Sequence, residues 1–159
     1  MPKNSNEQIL REQLISLIRG GNAHVTFDNV ISNFPAALRG AKAPGAPHTA
    51  WELIEHMRLC QWDILEFSRD AKHVSPAWPL GYWPPSEAPP NRTAWNRSVE
   101  SFKNDHAAME KLINNPKTDL YKSIPHGTGQ NILREALLVA DHNSYHLGQM
   151  LLLSQLLGK

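Results

Sequence analysis

Apolar residues recur at three- and four-residue spacing in four long stretches of this chain, and polar residues fill the positions between them. Ser5 with Gln8 three residues on is a helix-capping pattern. Ile9, Leu10, Leu14, Leu17 and Ile18 follow at helical spacing until Gly20 and Gly21 stop the run. A short second piece spans 26–34 and ends at Pro35. Thr49 and Glu52 form a second capping box, and Leu53, Met57, Cys60, Ile64 and Phe67 mark one apolar stripe from there to about Arg69. Thr93 is the expected cap of a third long helix carrying Trp95, Val99, Phe102, Met109 and Leu112, which finishes near Pro116. The last helix is expected to start near Gln130, with Thr128 as its cap, and to run almost to Leu157. It is apolar nearly all round, which predicts the most central place in the fold.

The connecting stretches carry the helix breakers. Gly40, Pro44, Gly45 and Pro47 make 39–47 a loop. Between Ser75 and Asn91 six prolines alternate with Trp78, Tyr82 and Trp83, a composition that forbids helix and favours extended or turned backbone. A proline-aromatic loop of that length serves either as a lid or pocket wall or as a plug for one end of the core. Gly127-Thr128-Gly129 follows no strand and lacks the other phosphate-loop residues. Four long helical segments, no strand pattern and no repeat predict an all-α fold, a four-helix bundle with crossover loops in a single domain over 1–159.

Composition narrows the function. The chain is 41% hydrophobic and 19% charged with a net charge of +1, and its Lys and Arg form no run, which argues against nucleic-acid binding through a basic patch. The apolar stretch Ile132 to Leu157 is broken by Arg134, Glu135, Asp141 and two histidines, so it is a poor membrane span. The polar start, Met1 to Gln8, lacks the apolar core of a signal peptide, and a cytoplasmic location is expected. A single cysteine, Cys60, excludes an internal disulfide and a thiolate-rich zinc site, and its place on the apolar stripe reads as a small buried hydrophobe.

The candidate chemistry lies in Asp141-His142-Asn143-Ser144-Tyr145-His146-Leu147-Gly148-Gln149. His142 and His146 are one helical turn apart and leave the same face. Leu138, Val139, Tyr145 and Leu153 share that broad face, with Glu135 and Gln149 as polar exceptions, so the pair is expected to look inward. Buried polar groups need partners, since each left alone costs about 1–3 kcal/mol. The imidazoles either bond to carbonyls and carboxylates or hold a metal. His56, about 60° from the centre of its stripe, is the best third ligand. His24, His48, His73 and His126 fall in or beside loops, and His106 lies among polar residues. Three neutral nitrogens from His56, His142 and His146 suit zinc, nickel, iron or copper and leave a position for water or substrate. Asn143 follows His142 where the zinc-protease helix has glutamate, and no Glu-x-x-His occurs, which excludes that motif and the carboxylate-bridged di-iron bundle.

These residues resemble the DinB/YfiT-like superfamily of metalloenzymes. Glu52-Leu53-Ile54-Glu55-His56-Met57 is similar to its first element, and His142 to Gln149 to its second. The resemblance implies a four-helix bundle over the whole chain and a divalent ion, zinc, nickel or iron, on His56, His142 and His146. It also implies a metal-dependent hydrolase or a transferase of low-molecular-weight thiols, acting on a small molecule. A non-catalytic metal or small-ligand binding protein is the alternative, and histidines that only satisfy one another are a third reading. Asp63 and Glu52 are expected to orient His56, no catalytic residue is assigned, and apolar faces left over from a small bundle make a homodimer one of the expected states.

Overall fold

The computed structural model describes residues 5–158, so residues 1–4 and Lys159 lie outside the description. The secondary structure is α1 (Asn6–Arg19), α2 (Phe27–Ser32), α3 (Ala50–Arg69), α4 (Ala94–Asn114) and α5 (Ile132–Leu157), and no strand occurs among the described residues.

Local chemistry explains most of the boundaries. The Ser5 hydroxyl accepts from the Gln8 backbone N–H, while the Gln8 amide turns to Glu12 and does not close the box. Thr49 and Glu52 do close theirs: the Thr49 hydroxyl accepts from the Glu52 N–H, and the Glu52 carboxylate accepts from the Thr49 N–H. Thr26 and Asn29 make the same box at α2. Two starts differ from the sequence expectation. Thr93 is already helical in φ and ψ and bonds Asn91 instead of capping α4. Helix α5 begins after Asn131, whose side chain accepts from the Arg134 N–H, because Thr128 is held in the preceding turn by Gln130.

Helix α3 packs against both α4 and α5, and α1 closes the other side against the same two. Partner residues give the directions. Gln61 lies opposite Phe102 and Trp51 clusters near Trp95, so α3 and α4 run parallel and 70–93 must cross the length of the bundle. Gln61 meets Asn143 whereas His56 meets His146, so α3 and α5 run antiparallel. Two apolar clusters stack along the bundle. One is built on Leu53, Met57, Trp95, Phe102 and Met150, the other on Leu14, Leu65, Met109, Ile113 and Val139.

Helix α5 is not fully enclosed as its composition predicts. Leu137, Tyr145, Leu152 and Leu156 are exposed, and α3 is buried over a larger share of its length. Tyr145, expected on the inner face, is 64% exposed, since it follows His142 by three residues and precedes His146 by one, which carries it past the edge of the buried arc. No described helix is long and apolar enough to cross a membrane.

Candidate metal centre

Antiparallel packing of α3 on α5 brings His56 against His142 and His146. The Nε2 atoms of His56 and His142 are 3.2 Å apart. The His146 ring stands edge-on to both, with centroids 4.6 Å from His56 and 4.5 Å from His142. All three sequence-predicted ligands therefore meet, each from the helix expected to carry it.

The tightest donor group differs from the predicted one. His56, Cys60 and His142 each offer a ligand atom within 4.8 Å of the others, and His146 flanks this group. The reading of Cys60 as a buried residue holds, but its Sγ lies 3.6 Å and 3.7 Å from the two ring nitrogens of His56. The signal for it was present in the sequence. Cys60 follows His56 by four residues, the same one-turn spacing that singled out His142 and His146.

The proline-aromatic loop supplies the wall. The Tyr82 carbonyl is 2.9 Å from His56 Nδ1, so Nδ1–H donates to it and Nε2 keeps its lone pair facing His142. Gln149 does the same for His146, its Oε1 lying 2.8 Å from Nδ1. Trp83 lies flat on His56 at 4.0 Å and 5° between planes. On its other face Trp83 stacks with His48 at 4.0 Å. The sequence places His48 only in a loop, because nothing in a helical pattern reports on a residue held through a tryptophan.

Asp63 and Glu52 do not orient His56 directly. Glu52 is engaged in the α3 cap. Asp63 accepts from the Tyr82 hydroxyl and from His73 Nε2, each at 2.7 Å. It thus holds the residue whose carbonyl holds His56. The remaining histidines stay outside the cluster: His24 reaches Ser144, His106 the Ile18 carbonyl and His126 the Phe67 carbonyl.

Burial sets the protonation. It is the largest influence lowering the pKa of His56, His142 and His146, reinforced for each by a neighbouring histidine, and His142 is brought down to about 4. All three are neutral imidazoles near pH 7. Burial, with the charge of Asp63, pushes the Cys60 thiol up to about 12. The donor set is therefore neutral nitrogen with one thiol beside it and no engaged carboxylate.

These residues fit a divalent ion. Two nitrogens bound at about 2.0–2.1 Å on adjacent corners of a tetrahedron lie about 3.3 Å apart, close to the His56–His142 separation. The partners on the far nitrogens of His56 and His146 are of the kind that fixes metal-ligating imidazoles. Comparison with curated proteins and with solved structures gives no match to this chain. Residues 22–150 match the family model of the DinB superfamily. That match runs from before α2 to the last third of α5 and takes in every residue of the histidine cluster, so the chain belongs to the DinB superfamily.

Proposed function

We propose that this protein is a divalent-metal enzyme in which His56, His142 and His146 hold the ion and a remaining position takes water or a thiol. The 3.2 Å approach of His56 Nε2 and His142 Nε2 carries the reading. Buried imidazoles that served only structure would each find a separate carbonyl or carboxylate, whereas here His56, its Nδ1 held by the Tyr82 carbonyl, turns its lone-pair nitrogen to His142 Nε2 with the His146 ring beside them. Zinc, nickel and iron all suit the donors. A bound ion would lower the pKa of water or thiol toward neutrality, the chemistry of a hydrolase or a thiol transferase. The chain's own residues fix the tautomers through the Tyr82 carbonyl and the Gln149 amide, and Trp83 covers one face of His56 against solvent.

The position of Cys60 favours one alternative, a shell in which Cys60 is the fourth donor beside His56, His142 and His146 and metal is sequestered without catalysis. Elemental mass spectrometry of untagged protein separates the two. About one ion per chain is expected in the wild type and none in a His142→Ala/His146→Ala variant. Under the enzyme reading Cys60→Ser retains its ion, and the cobalt-substituted wild type shows no thiolate-to-metal charge-transfer band. Loss of metal in Cys60→Ser together with such a band would establish the closed shell. Empty wild-type protein after supply of zinc, nickel and iron would sink both.

A further inference from the structure

A cleft of about 310 Å³ opens between the 44–48 loop and the C-terminal part of α5, directly beyond the histidines. Its apolar wall includes Leu53 of α3 and Leu152, Leu153 and Leu156 of α5, and its polar groups include His48 and Gln149. None of the described residues lining it is Asp, Glu, Lys or Arg. Both polar groups are tied to the metal centre. Gln149 bonds His146 Nδ1, and His48 stacks on the tryptophan that covers His56. The α5 face that presents His142 and His146 continues through Gln149 to Leu153 and Leu156, because steps of three and four residues keep one face. The cleft thus adjoins the centre through Gln149 and His48, its polar side, and is apolar on the other. Its size is at the lower end for small-molecule sites, which are mostly apolar with a few placed polar groups.

We propose that this cleft binds the uncharged alkyl or aryl body of a small substrate whose polar end lies at Gln149 and His48, toward the histidines. The placing of the polar end rests on the metal reading above; the apolar cleft does not. A charged body has no partner among the lining residues, and a bulky one exceeds the volume.

Two probe series test this by titration calorimetry: straight-chain alkanols of two to eight carbons on chelator-treated protein, and alkyl hydroxamates of the same lengths on zinc-loaded protein. Each added methylene is expected to tighten binding about fourfold until the cleft is filled, in both series. The Leu152→Ser/Leu156→Ser variant changes two half-exposed side chains, so it leaves zinc content unaltered and flattens both dependences. Hydroxamates that bind no tighter than alkanols, with chain-length dependence intact, would remove the metal reading and leave the cleft standing. Affinity independent of chain length in the wild type, or dependence undiminished in the variant, overturns the proposal. So does sedimentation showing that the variant dissociates a dimer while alkanols bind without length dependence, for then the leucine face belongs to a second copy.

Discussion

Two of the places where this bundle buries polar side chains solve the problem in opposite ways. At one end Arg11, only 3% exposed, donates to the carbonyls of Ile113, Asn115 and Thr118 and pairs with Glu7. One guanidinium thereby ties α1 to the end of α4 and the turn after it, where carbonyls are left without helical partners. At the histidine cluster His56 and His146 each use one nitrogen, on Tyr82 and Gln149, and the His56 and His142 Nε2 atoms meet. The first arrangement is saturated and serves architecture. The second leaves coordinating capacity, and it lies beside a cleft that shares Gln149 with it. Burial of polar groups does not itself mark a functional site; unspent lone pairs that converge do.

The sharpest way to break this comparison is to remove the centre of each arrangement. Arg11→Met removes the partner of three carbonyls, with Glu7 half exposed to water, and a loss of about 3 kcal/mol is expected in urea unfolding. Zinc content of the folded protein should be unchanged. If Arg11→Met instead empties the metal site at full stability, the division between the two regions is wrong.

Proton linkage gives the next largest effect. The folded-state pKa values of His56, His142 and His146 lie below the unfolded value of about 6.5. Between that value and the His142 value of about 4 the unfolded chain binds more protons. Stability is therefore complete above about pH 6.5 and is lost as pH falls toward 4. Denaturation of chelator-treated protein from pH 7 to 4.5 should show this slope, and His142→Gln should reduce it. In Arg11→Met the curve should drop bodily with its slope retained. A flat profile in the wild type would mean that the imidazoles are not held neutral by burial.

The helices and the convergence of α3 with α5 were legible because both follow from periodicity. The caps at Ser5 and Thr49 are local signatures, and one-turn spacing put His142 and His146 on one face. What failed was non-local or marginal. Thr93 and Thr128 have capping chemistry, but Asn91 and Gln130 claim them in turns that no helical pattern predicts. Tyr145 fell outside an arc whose edge depends on where α1 and α3 press against α5. Apolar content placed α5 centrally, yet Leu152 and Leu156 face a cleft instead of core. His48 and the Tyr82 carbonyl entered the site through the proline-aromatic loop, whose path follows from how α3 and α4 lie side by side. Gly148, part of the recognised motif, is exposed and a Cβ there would meet nothing within 4 Å, so no contact in this chain explains it.

The smallest predicted effect probes how far the support of the histidine cluster extends. Tyr82 bonds His56 through its backbone carbonyl, which no side-chain substitution removes, and bonds Asp63 through its hydroxyl. Tyr82→Phe keeps the ring and the carbonyl and deletes only the second bond, with His73 still paired to Asp63. Stability should fall by about 1 kcal/mol, the usual worth of one such bond. Groups that bond a ligand directly change metal affinity about 10–100-fold, and the hydroxyl stands one step further out, so zinc affinity should weaken less than tenfold. Competition with a chromogenic chelator measures it. A loss above tenfold would mean that Asp63 sets the position of His56 through the loop, making the carboxylate part of the site's support. No change in affinity with the expected loss of stability would confine Asp63, like Arg11, to architecture.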